Sequence, residues 1–380
     1  MVIFMKEKTL DLKERIISID ALRGFAMFLI LATQIGGAPI FKTFGDMIWH
    51  ENWPSFFANQ MSWANPRVSF LNIAQSIFIF IVGVVIPFSL NNKMKKMGRS
   101  KTCLFILKRS VILYILGLMA GAVILNLPET GKTVANFPVY NNVLEYIAIA
   151  YFVSSIIVLS TSVRVQYIVT AGLLLLFWAI WLFIPAPGFD GDIFSKEMNI
   201  GQYIDKAVMG EHASRYGTKV LNTLNNVSIT MIGVLAGHLI FSKRSKQEKV
   251  RRLFIAGFAM IITGKIWSLF FPVLRDFNTS TFVLVSVGAA VILLASFYLI
   301  IDIRGHSKWA FFFIVFGVNS IAIYMMAHLF DFRLIGNVVV GGVSSLFSEN
   351  GESFIKAATA MLVMWLIVYY MYLKKTFIKI

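Results

Sequence analysis

A handful of charged and amide side chains interrupt long apolar runs, and each is a candidate for chemistry because ionisable groups are costly inside a bilayer. Asp20 and Arg23 stand three apart, one helical turn, so their side chains can pair near one membrane surface. Asn72, Gln75, Asn222, Asn225, Asn226, Asn319 and Tyr324 fall within or at the ends of apolar segments, where amides serve either a substrate or an interhelical hydrogen-bond network. Glu145 opens one such segment, and Lys265 stands about midway along another, where an ammonium needs a carboxylate, a carbonyl cluster or water. Lys108 and Arg109 read as side chains snorkelling to the surface. Imidazoles supply the general base for removing a proton from an acceptor, and the chain has five histidines. No HExxH, CxxC, Walker loop or GxSxG occurs, so metal hydrolysis, ATP-driven transport and serine hydrolase chemistry have no motif behind them.

These side chains are positioned by membrane-spanning helices. Of 380 residues, 58% are hydrophobic and 14% charged, and the mean hydropathy is +0.75, values far too apolar for a soluble domain. A span needs about 20 apolar residues, and ten segments meet that need, at 21–40, 69–90, 107–126, 143–161, 164–185, 221–241, 252–273, 280–301, 309–330 and 355–373. The expected fold is an all-α polytopic bundle of about ten transmembrane helices. The Gly-rich run 334–347 is either a re-entrant or interfacial piece or an eleventh span.

Ten spans put both termini on one side, and the charge distribution says which. With the amino terminus inside, 21 Lys and Arg fall in inner segments and 10 in outer ones, the positive-inside bias. That accounts for most of the net charge of +16 without nucleic acid; anionic lipid or an anionic cytosolic cofactor are secondary readings. The expected location is the inner cell membrane, multi-pass. Lys6, Lys8, Lys13 and Arg15 precede the first span without a cleavage site, so that span is expected to act as the insertion signal. The single cysteine, Cys103, excludes an internal disulfide. No linker or clear repeat divides residues 1–380, which read as one domain. Two outer loops, 38–67 with His50 and 185–217 with His212, exceed what a hairpin requires and point to a site on the outer face, where His328 also falls; His238 and His306 fall inside.

The order SIDALRG (18–24), IVGVVIPFSL (81–90), NVLEYIAIAY (142–151), MIGVLAG (231–237), TSTFVLVSVGAAVILLASFYLIID (279–302) and WAFFFIVFGVNSIAIYMMAHLFDF (309–332) resembles the transmembrane acyltransferases related to heparan-alpha-glucosaminide N-acetyltransferase over nearly the full length. The resemblance implies an enzyme that takes acetyl from cytosolic acetyl-CoA, a co-substrate, and delivers it to an amino sugar or glycan on the other face. Asp20, Arg23, Gln34 and Asn319 are then the cofactor-binding candidates, with Arg23 and the basic inner surface attracting CoA phosphates. No metal is implied. The partners are the sugar acceptor and membrane lipids, with a homodimer left open and nucleic acid excluded.

The chain departs from its relatives where they carry a histidine before a tryptophan and then an aspartate. Matching Trp63 puts Gln60 at the histidine, and Asn72 falls at the aspartate. Gln34 stands where a relative has asparagine, Tyr146 where many have arginine, and an acidic, proline-containing turn is missing before Asn222. An amide cannot take a proton at neutral pH. His50 therefore supplies the imidazole, or the acceptor needs no base, or acyl transfer is lost; His50, Gln60 and Asn72 are the catalytic candidates. The alternative function is a non-catalytic permease or binding protein for a sugar or lipid-linked glycan.

Overall fold

The structure, a computed structural model, describes residues 16–33, 36–50, 52–121, 123–127, 132–136, 139–189, 191–195, 198–210 and 218–377; Gln34 and His212 lie outside them. Apolar segments become helices because backbone in hydrocarbon must satisfy its own hydrogen bonds. The bundle consists of α1 (Ile17–Leu31), α4 (Ile73–Gly121), α5 (Val143–Ser160), α6 (Val163–Phe183), α8 (Asn222–Ile240), α9 (Lys246–Trp267), α10 (Ser280–Phe297), α11 (Phe311–Val318), α12 (Ser320–Leu329) and α14 (Glu349–Leu373). Shorter helices α2 (Ile40–Trp49), α3 (Ser55–Gln60) and α7 (Ile200–Met209) fill two connections, and α13 (Phe332–Ser344) lies beside α14.

Among the described residues six helices are long and apolar enough to cross a bilayer, or seven if the bent pair Lys308–Val318 and Ser320–Leu329 is one span. The protein is thus a multi-pass helical membrane protein. The difference from ten has physical causes. Two expected spans form the single 49-residue α4, which doubles back at Gly98, where φ is +78° and ψ 176°. Its beginning, at Ser76, and its far end, at Gly117, both reach the start of α5, the first in a cavity shared with Tyr146 and the second against Glu145. A straight helix would hold them about 60 Å apart. α1 is 15 residues long, and α9 carries the polar stretch Lys246 to Arg252 in its first turns. The ninth expected span breaks at Asn319 with a bend of 64°. α4 ends at Gly121, and the chain then forms a two-stranded antiparallel hairpin, β1 (Val123–Leu127) with β2 (Lys132–Asn136), an element absent from the all-α expectation.

Helices in a bilayer are held by close packing rather than by escape from water, so small residues sit where backbones cross. A Cβ on Gly24 would lie 1.7 Å from the Phe313 carbonyl oxygen, and one on Gly317 would lie 1.9 Å from that of Asp20, which locks α1 to α11. Gly83 and Gly233 do the same between α4 and α8. Around these crossings Leu22, Met27, Phe80, Phe316 and Ile323 form a buried core. Asp302, in a π-helical turn after α10, accepts from the N–H groups of Ile17 at 3.2 Å and Ser18 at 3.1 Å. It thereby caps α1, whose first amides have no partner within the helix.

Candidate functional site

At the end of the bundle away from the Gly98 turn, the starts of α4, α5, α8 and α10 surround a cavity of about 720 Å³, within the range of small-molecule sites. The first arm of α4 contributes Asn72, Gln75 and Ser76, α5 contributes Tyr146, and α8 contributes Asn222 and Asn226. The connections bring Trp63, Asn141, Lys219, Arg275, Asp276 and Asn278.

Each wall is fixed by hydrogen bonds that the local sequence provides. Asn142 caps α5 by accepting from Leu144 N–H at 3.0 Å. Glu145 accepts from the N–H groups of Tyr140 at 3.0 Å and of Asn141 and Asn142 at 2.7 Å each. The Tyr324 hydroxyl donates to Asn142 at 3.0 Å, joining α12 to this corner. Asn225 donates to the Asn278 carbonyl at 2.6 Å, and Asn278 donates to the Asn226 side chain at 3.1 Å, so the asparagines of α8 hold the loop before α10. That loop reaches the connection between α3 and α4, where Arg275 N–H donates to Pro66 O at 2.7 Å and its guanidinium lies 4.8 Å from the Trp63 ring. Asp205 of α7 accepts from Lys219 N–H at 2.7 Å and Val220 N–H at 2.8 Å, which anchors the chain entering α8.

Two cations and one carboxylate line the cavity, and their surroundings differ. Arg275 has Asp276 at 3.7 Å. The Lys219 ammonium makes no ion pair among the described residues; the Tyr146 ring centroid lies 5.9 Å away. Burial pushes the Lys219 ammonium below the usual lysine range, against the opposing pull of Asp205, Glu145 and Asp276. Burial likewise raises the Asp205 carboxyl, although two backbone N–H donors favour its charged form.

The residues singled out from the sequence fall into separate groups. Asn72 lines the cavity, and its amide closes the preceding loop: it accepts from Ser69 N–H at 2.8 Å and donates to Arg67 O at 2.6 Å and Asn65 O at 3.1 Å. Gln60 accepts from Phe70 N–H at 3.0 Å and so braces the same loop without lining the cavity. His50 lies elsewhere, at the end of α2, 2.9 Å from the Asn350 amide that opens α14. Asp20 and Arg23 pair at 2.8 Å, and Arg23 Nε donates to Gly317 O at 2.6 Å. Asn319, 1% exposed, follows two residues later at the break between α11 and α12. Three of the four cofactor candidates therefore meet at the α1–α11 crossing, and the fourth, Gln34, lies outside the described residues. Lys265 stands exposed in the last turn of α9, not midway along a span, because that helix stops at Trp267.

Lys219 and Arg275 entered the sequence reading only in the count of outer Lys and Arg, and Asp276 was not singled out. Their signal was position: TKVLNTLNN and RDFNTST each join a charge to asparagines at the mouth of an apolar run. The fold and site define a polytopic helical membrane protein with a polar, cation-bearing cavity at one end of the bundle. No protein-family model matches the chain, and no curated protein matches it.

Proposed function

We propose that this protein is an acyltransferase of ten spans with both termini cytoplasmic, which moves acetyl from cytosolic acetyl-CoA to an amino sugar or glycan on the outer face of the inner membrane. The observation that carries the reading is the cavity at the end opposite the basic Gly98 turn, with amides and aromatic rings converging on a space suited to a small polar ligand. Asparagine and glutamine side chains match sugar hydroxyls as paired donors and acceptors, and Trp63 offers a flat apolar face. On the opposite side, Arg23 and Asn319 at the α1–α11 crossing are the groups assigned to CoA. The ordered motifs read from the sequence supply the chemistry.

Calorimetry with acetyl-CoA on the detergent-purified chain tests the cofactor half, and mass spectrometry of glucosamine incubated in the same sample tests the transfer. Binding with N-acetylglucosamine formed supports the proposal; no binding removes it. One observation favours the second reading, a permease or binding protein without chemistry. Asn72 and Gln60, at the positions where relatives carry acid and base, spend their amides on loop N–H and C=O groups. Sugar uptake into vesicles that persists without acetyl-CoA would establish that reading.

A further inference from the structure

Three carboxylates attract Lys219 without an ion pair among the described residues, and each is hydrogen-bonded or paired with other groups. Asp205 accepts from two backbone N–H groups, Glu145 accepts from three, and Asp276 pairs with Arg275. A cation on the wall of a confined site lacks the solvation it would have in open water and gains most from a counter-charge. Arg275, on the same wall, is held over Trp63 and cannot itself serve that need. The cavity lining thus presents two positive groups and one negative, the negative one paired, among amides that suit hydroxyl groups.

We infer that the cavity takes an acidic saccharide, whose carboxylate or phosphate sits against Lys219 with Arg275 flanking it, while the amides of Asn222 and Asn226 meet its hydroxyls. The inference rests on the cavity as the saccharide site and requires no acyl transfer.

The test uses the full chain in detergent without acetyl-CoA, so its outcome is independent of whether transfer occurs. Quenching of tryptophan fluorescence, to which Trp63 contributes, is titrated with D-glucuronate, D-glucose 6-phosphate and neutral methyl glucoside. At least one anionic sugar is expected to bind about tenfold or more tightly than the neutral one, equivalent to about 1.4 kcal/mol, and the stronger of the two identifies a carboxylate or a phosphate. Raising salt should narrow that gap. Lys219→Met should abolish the preference of anionic over neutral sugar, and Lys219→Arg should retain it. Equal binding of all three sugars, or a Lys219→Met chain that keeps the preference, would overturn the inference. Where Lys219→Met does not purify as a folded protein, the sugar series, its salt dependence and Lys219→Arg decide.

Discussion

Lys219 shows how burial and committed neighbours turn an ordinary loop residue into a recognition group. It holds an anion only as the ammonium, and the folded chain releases that proton below the usual lysine value of 10.5. Affinity for an acidic sugar should therefore fall as pH rises through a range beneath 10.5, where an exposed lysine is still charged. The groups facing it are Asp205 on α7, Glu145 and Tyr146 on α5, and Arg275 and Asp276 before α10. Lys219→Arg should flatten this dependence, since guanidinium stays protonated there. The linked stability runs the other way: between the folded and unfolded values the folded chain binds fewer protons, so this residue's contribution to stability rises with pH. Glu145 makes a separate prediction. Replacing it with alanine strands three backbone N–H groups at the start of α5 and should cost about 1–3 kcal/mol, read as a lower melting temperature, with Glu145→Gln retaining part of the effect.

At the level of elements, two glycine positions fix how helices meet. Gly98 adopts φ +78° and ψ 176° with nothing within 4 Å of a built Cβ, so Gly98→Ala would meet backbone strain alone, about 1–3 kcal/mol. It should lower the melting temperature without changing sugar affinity. Gly317 is different, because an added Cβ strikes the Asp20 carbonyl. Gly317→Ala should force α1 from α11, cost about 1–3 kcal/mol as overpacking, and weaken acetyl-CoA binding, since Arg23 Nε donates to that same residue. Loss of stability with acetyl-CoA affinity intact would separate the crossing from the cofactor site.

Across the whole molecule, hydrophobic runs made most helices legible, because a twenty-residue apolar stretch has few other solutions. What was not legible came from tertiary context. Nothing in the local pattern marks the 64° break at Asn319 or the end of α4 at Gly121, after which the last four residues of an expected span, 123–126, become strand. The run 334–347 did form a helix, α13, but its 13 residues measure about 20 Å, short of a hydrocarbon core of about 30 Å. The amides at 72, 222 and 226 were singled out as serving either a substrate or an interhelical network, and all three line the cavity. Lys219 and Arg275 were not, since a charge in an outer loop looks the same in sequence whether it meets water or a cavity. His50 was one of three answers to the missing base, and α2 carries it to the Asn350 side, which only packing against α14 determines.

The most direct measurement is transfer across a membrane. Purified chain is reconstituted into sealed vesicles with isotopically labelled acetyl-CoA on the cytoplasmic side and glucosamine on the other, and the acceptor compartment is examined by mass spectrometry. The account predicts labelled N-acetylglucosamine on the acceptor side, dependent on acetyl-CoA and reduced about tenfold or more by Arg23→Ala, a loss of about 1.4 kcal/mol of binding. Glucosamine that crosses unmodified at the same rate with or without acetyl-CoA would contradict it and leave the permease.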